Sequence, residues 1–160
     1  MKQYRAALIT ASNRAAHGLY ADESGEILAQ GLRDLDFQIT SQVILPDDKD
    51  LISAEIAHAL LVEVDLIVTT GGTGISPTDI TPEATAAHIE KALPGVSESL
   101  RTYGRDQTPY ADLSRGLAGV NGKTFIVNLP GSPSGVRDGL VMIARIAPHI
   151  LSQLAGEDHK

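Results

Sequence analysis

The run Val68-Thr69-Thr70-Gly71-Gly72-Thr73-Gly74 sets three glycines within four positions, directly after an apolar stretch. At the carboxyl end of a strand, glycines let backbone N–H groups approach a phosphate without interference from Cβ. Thr81-Pro82-Glu83 reads as a helix start, with Thr81 as N-cap and Pro82 at the first helical position. Such a start adds unpaired N–H groups and a positive dipole end. Asp79 stands between loop and helix. A carboxylate beside a phosphate cradle makes sense when a cation bridges the two, and Mg²⁺ is held in this way by one or two carboxylates plus phosphate oxygens. The expected chemistry is therefore the handling of a phosphorylated small molecule with Mg²⁺ at Asp79. The competing reading is a tight turn that needs positive φ, with Asp79 a solvated acid or an auxiliary helix cap.

Other candidates are weaker singly. Asp47, Asp48 and Asp50 follow Pro46, and one of them could meet the same Mg²⁺. Acids at a helix start are also favoured by the macrodipole alone, which accounts for at least two of the three. Ser12-Asn13-Arg14 leaves the first strand, and Ser114-Arg115 lies in an irregular segment. Either arginine could neutralise substrate phosphate through its guanidinium fork, or simply be solvated. The five histidines show no metal-ligand spacing; His58 and His88 are read within helices and His159 in a tail. The loop is not a Walker motif, since no Gly-Lys-Ser/Thr follows, and it lacks the third glycine of a dinucleotide fingerprint. Gly131-Ser132-Pro133-Ser134-Gly135 puts proline where a nucleophile elbow needs serine.

These residues have to be positioned by alternating short apolar runs and longer amphipathic ones. Strands are expected over residues 6–10, 37–45, 65–69 and 124–128. Helices are expected over 22–36, from about Asp48, from Thr81, and from about Ser134. Val136, Leu140, Ile143, Ala147 and Leu151 should face inward on the last helix, and Pro148 should kink it or split its final turns. Residues 95–122 are the least legible, with a helix through Leu100 and then a polar loop. Strands apolar throughout, alternating with helices, imply an α/β fold with a mostly parallel sheet and helices on both faces, three layers in all.

Composition bounds the rest. A chain of 160 residues with 42% hydrophobic and 21% charged residues is ordinary for one globular domain over residues 1–160. Aromatics are only 4%, so the core must rest on Val, Ile, Leu and Ala. A net charge of −7 argues against nucleic acid as partner. Cysteine is absent, which removes disulfides and thiolate chemistry. No run approaches a membrane span or a signal segment, so a cytoplasmic protein with no membrane partner is expected.

Taken together, Thr70-Gly71-Gly72-Thr73-Gly74, Asp79-Ile80-Thr81-Pro82-Glu83-Ala84-Thr85, Leu113-Ser114-Arg115 and Asn128-Leu129-Pro130-Gly131-Ser132-Pro133 resemble the molybdopterin adenylyltransferases of the MogA/MoaB type, over nearly the whole chain. The resemblance implies a reaction of molybdenum cofactor biosynthesis. In it the terminal phosphate of molybdopterin attacks the α-phosphate of ATP, releasing pyrophosphate. It also implies a Mg²⁺ requirement, a homotrimer, and hand-over of the product to a molybdenum insertase. By the same resemblance Asp79 is the catalytic acid and Asp47 a second functional acid, both on the metal. Gly71, Gly72, Thr73 and Gly74 would hold phosphates, with Ser12 and Arg14 at the neighbouring edge. Ser114 with Arg115, and Pro130, Gly131 and Ser132, would frame the substrates. Many members carry Ser-Asp-Arg after the first strand where this chain has Asn13, which leaves that edge open. The same fold occurs inside larger insertases and competence-damage-type proteins, whose extra domains a chain of this length should lack. The alternatives are a non-catalytic molybdopterin- or nucleotide-binding paralogue and an oligomeric interaction module.

Overall fold

Thirteen elements make up the computed structural model, which describes residues 2–157; His159 lies outside them. In chain order they are β1 (Arg5–Ala11), α1 (Asn13–Ala16), α2 (Glu23–Asp34), β2 (Gln38–Leu45), α3 (Lys49–Leu61), β3 (Leu66–Thr70), α4 (Thr81–Ala86), β4 (Lys91–Ala92), α5 (Pro94–Arg105), a 3₁₀ turn (Pro109–Leu113), β5 (Ala118–Asn121), β6 (Thr124–Leu129) and α6 (Pro133–Leu154). One sheet runs in the order β2-β1-β3-β6-β5-β4. The first four strands pair in parallel, while β5 and β4 add antiparallel at one edge.

Side-chain alternation splits the core into two clusters, one on each face. Ala6, Leu8, Leu66, Val68, Phe125, Val127 and Leu129 point to the face covered by α2, α5 and α6. Their neighbours Ala7, Ile9, Ala11, Ile67 and Ile126 point to the face covered by α3 and α4. Period two along each strand, with both faces buried, is why these strands read as continuous apolar runs. β2 departs from that pattern: it is an edge strand whose residues alternate between exposed and half-buried, and Ile44 is 42% exposed.

Two expectations need correcting. The alternative in which Pro148 splits the last turns does not hold, because α6 runs as one helix from Pro133 to Leu154. Ala147 and Leu151, on either side of the proline, are buried in the core, and that packing holds the helix across one missing donor. The polar loop expected before Gly122 holds the 3₁₀ turn and then β5, which forms a hairpin with β6. Asn121 pairs with Thr124, so Gly122 and Lys123 form the turn, and Gly122 at φ +55 supplies its left-handed position.

The parallel arrangement decides where function can lie. β1, β2, β3 and β6 all end on one side, at Ser12, Pro46, Gly71 and Pro130. From β1 the chain moves outward to β2 and then returns past β1 to β3. This reversal opens a crevice at the strands' carboxyl ends, the usual place for a ligand in such sheets.

Candidate functional site

Backbone geometry in the glycine loop leaves donors free and holds acceptors fixed. The carbonyls of Gly72, Thr73 and Gly74 accept from Thr81 N (3.1 Å), Arg115 N (2.8 Å) and Arg115 Nε (2.8 Å). The N–H groups of those same three residues donate to nothing among the described residues. Consecutive free N–H groups in a turn form an anion-binding concavity. Gly71 holds φ +92, and a Cβ there would stand 2.3 Å from Ala11 O. Gly72, at φ +67, leaves room for the Thr81 hydroxyl, 2.3 Å from where its Cβ would be. That hydroxyl is the one buried side-chain polar atom without a hydrogen-bond partner among the described residues. Thr81 is not the N-cap expected from sequence. Ile80 holds that position without a side-chain bond, and Thr81 opens the helix.

Two carboxylates flank the loop. Asp47 Oδ1 is 3.4 Å from the position of a Cβ on Gly72, and Asp79 Oδ2 is 2.7 Å from one on Gly74. Asp79 is fixed by the Ser76 N–H at 2.9 Å. Asp47 and Asn13 bond reciprocally: Asn13 N–H donates to Asp47 Oδ2 (3.3 Å) and Asp47 N–H to Asn13 Oδ1 (2.9 Å). Asn13 therefore ties the first and second strand ends together without adding a third negative charge. Burial raises the Asp47 carboxyl above its ordinary range, the Asn13 N–H works against this, and repulsion from Asp79 adds to it. Asp48 is a true N-cap, accepting from Asp50 N and Leu51 N, and Asp50 lies in the first turn. Only Asp47 of the three acids faces the loop.

These groups line a cavity of about 480 Å³ that contains Ser12, Arg14, Asp47, Gly71, Gly72, Asp79 and Gly131. Arg14 is its only cation among the described residues. Thr73, Gly74, Ser114, Pro130 and Ser132 line a second cavity of about 270 Å³ on the other side of the loop. Arg115 lines neither. Its guanidinium bonds Gly74 O, Asp79 O (2.9 Å) and the Glu83 carboxylate, so it clamps the loop that carries Asp79. Ser132 also caps α6, accepting from Gly135 N. His88 lies just past α4, not within a helix, and pairs with Ser53 at 2.8 Å.

Sequence reasoning missed Asp22. It caps α2 and accepts from Thr10 Oγ1 at 2.6 Å, while Ser24 Oγ donates to Gly131 O at 2.7 Å. A Cβ on Gly25 would lie 2.0 Å from Asp22 Oδ2. The signal was Asp22-Glu23-Ser24-Gly25 at a helix start, a capping pattern with glycine where space is shortest. Arg101 and Asp138 in the smaller cavity had no local signal beyond their own side chains, whereas Asn128, also in its lining, opens the Asn128–Pro133 segment.

No group of three or more His, Cys, Asp or Glu among the described residues could hold a metal. Asp47 and Asp79 beside the free N–H groups would suit Mg²⁺, which is held by one or two carboxylates together with phosphate oxygens and water. Fold and crevice thus define an α/β domain with a glycine loop and two carboxylates at the ends of its parallel strands. The chain belongs to the family described as the probable molybdopterin binding domain, which it matches over residues 7–149. It is 36% identical to the molybdopterin adenylyltransferase of Helicobacter pylori, over 98% of this chain and 90% of that one. It is 42% identical to the molybdenum cofactor synthesis protein cinnamon of Drosophila melanogaster, over 86% of this chain. The chain spans 23% of the length of cinnamon and 50% of that of a bifunctional relative. The molybdopterin biosynthesis Mog protein of Mycobacterium ulcerans superposes with a TM-score of 0.89 at 45% identity, covering 94% of this chain and 99% of that one. No helix among the described residues is long and apolar enough to cross a membrane.

Proposed function

We propose that this chain transfers the adenylyl group of ATP to molybdopterin, acting with Mg²⁺ at Asp47 and Asp79. The observation that carries the reading is the loop Gly72–Gly74, with its carbonyls tied down, its N–H groups free, and a carboxylate on each side. A terminal phosphate oxygen of molybdopterin bonds to the α-phosphorus of ATP. The bridging P–O bond to the β-phosphate breaks, and pyrophosphate leaves with the electron pair. Mg²⁺, when bound, offsets the charge of the triphosphate and of the departing pyrophosphate. The chain's own part is positioning and electrostatics, which dominate such transfers. The free N–H groups hold phosphate oxygens, Arg14 adds a positive charge at the crevice, and the Asn13 and Ser76 N–H groups aim the two carboxylates. Ser114 and the Pro130–Ser132 loop frame the substrates.

Incubation with ATP, Mg²⁺ and molybdopterin tests this directly. Pyrophosphate and adenylylated molybdopterin should appear in equal amounts, and both should vanish with a chelator. Tight binding of both ligands without pyrophosphate would make the chain a binding paralogue instead. ATP binding that is equal with and without chelator would remove the metal role and leave the charge balance to Arg14.

The 160 residues act as one domain in this reading, supported by one sheet with a hydrophobic cluster on each face. The proposed assembly is a homotrimer, supported by exposed Leu61, Ile75 and Tyr110, and light scattering should return three times the 16.9 kDa chain mass. The product would pass to a molybdenum insertase.

A further inference from the structure

The smaller cavity contains a carboxylate that the adenylyl transfer does not use. Asp138, in the second turn of α6, lines it together with Leu100, Arg101 and Gly104 of α5 and Tyr110 and Leu113 of the 3₁₀ segment. Asp138 has no hydrogen bond or ion pair among the described residues. Arg101 forms no ion pair with it, and its Nη1 donates to Ser114 O at 3.2 Å. Gly104 keeps space open beside it: a Cβ there would come 3.9 Å from Asp138 Oδ2. Desolvation raises the Asp138 carboxyl above its ordinary range. Asp138 is half-buried, so a ligand that displaces the water on its carboxylate must supply donors in its place.

The same cavity draws Thr73 and Gly74 into its lining, so a ring held there would connect to a phosphate on the glycine loop. The proposed substrates bring two rings. The 2-amino-4-oxopyrimidine edge of a pterin offers N3–H and an amino N–H side by side, which match the two oxygens of one carboxylate. Adenine offers one amino donor beside the N1 lone pair, which a carboxylate repels. We propose that Asp138 is a specificity-determining residue, which admits the pterin ring and excludes adenine by a paired acceptor contact to its amino-pyrimidinone edge. This rests on the reading of the chain as a molybdopterin adenylyltransferase.

Ligand fluorescence and competition at neutral pH test it with three probes: pterin, lumazine (which has a second oxo group in place of the 2-amine) and Mg²⁺-ATP. The wild-type chain should bind pterin at least about tenfold more tightly than lumazine, the order set by one paired contact. Asp138→Asn keeps the side chain's shape, so it should abolish that preference while leaving ATP affinity within about twofold. Equal affinity of the wild type for pterin and lumazine would overturn the proposal without any variant. So would an Asp138→Asn protein that keeps the preference, or one that loses ATP binding in parallel. Failure of the transfer reaction itself would leave the pterin preference standing. A wild-type chain that releases pyrophosphate yet shows no pterin preference would sink only Asp138.

Discussion

The two cavities that meet at the glycine loop are built by different means. The larger one is walled by the ends of parallel strands and carries Asp47, Asp79 and Arg14. The smaller is walled by α5, the 3₁₀ turn and α6, and is mainly apolar around Arg101 and Asp138. Strand ends are fixed by register across the sheet, so charges placed there hold their spacing. Helices packed over a loop give shape and apolar contact, with few polar groups to fix orientation. In the proposed reaction the first cavity would take the reacting phosphates and the second the ring.

The largest effect should come from breaking the charged side. Asp79→Asn keeps the acceptor for the Ser76 N–H but removes the charge. Thermal stability should hold while adenylyl transfer falls by at least about a hundredfold, the order seen when a transition-state electrostatic group is lost. Asp48→Asn is the control, since Asp48 only caps α3 and Asn caps as well; it should leave both properties near wild type. Full turnover in a stable Asp79→Asn protein would remove Asp79 from the chemistry.

Next in size is the wall between the cavities. Gly71→Ala forces a side chain into φ +92 and towards Ala11 O. The conformational strain alone is of order 1–3 kcal/mol, and denaturant unfolding should show at least that loss. Unchanged stability would mean that the loop can refold around the methyl group.

Arg115→Lys should act more mildly. A single ammonium cannot copy a fork that holds Gly74 O, Asp79 O and Glu83 together. Because Arg115 acts through the Asp79 loop, the expected result is about a tenfold fall in kcat/KM. The Mg²⁺ concentration for half-maximal rate should rise, with ring binding in the smaller cavity unaffected. A loss confined to ring binding would contradict the clamp.

The smallest effect concerns pH. The hydrogen bond from Arg115 is the main cause that lowers the Glu83 carboxyl below its ordinary value of 4.5. A depressed folded value means stability that is present above the unfolded value and is lost as pH falls through the folded one. Glu83→Gln should therefore flatten the fall of Tm with acidification below about pH 4.5, and do little at neutral pH. An identical pH profile would show that the Arg115 contact gives no net stabilisation.

The parallel core was readable because its strands are apolar on both faces and its helices repeat their apolar face at fixed spacing. Val68–Gly74 and Asp79 stood out because glycine after a strand and acid before a helix are local events. The antiparallel edge was not read, since β4 and β5 are two and four residues long and take their meaning from pairing. Gly122, at the positive φ of the turn, was its only local mark. Thr81 looked like a cap because the preference for threonine at helix starts is local, whereas its hydroxyl is buried by packing against Gly72.

By itself, the sequence determined an α/β domain with a glycine loop, an acid on either side of it in the chain, and the residue types of phosphate chemistry. Only tertiary structure decided which of three neighbouring aspartates faces the loop. The strand ends bring Asp47 to Asn13 and Gly72, while Asp48 turns to cap α3. Tertiary structure also made Arg115 a clamp and Asp138 a cavity wall. Both depend on contacts between groups tens of residues apart, and a one-dimensional pattern carries no such distances.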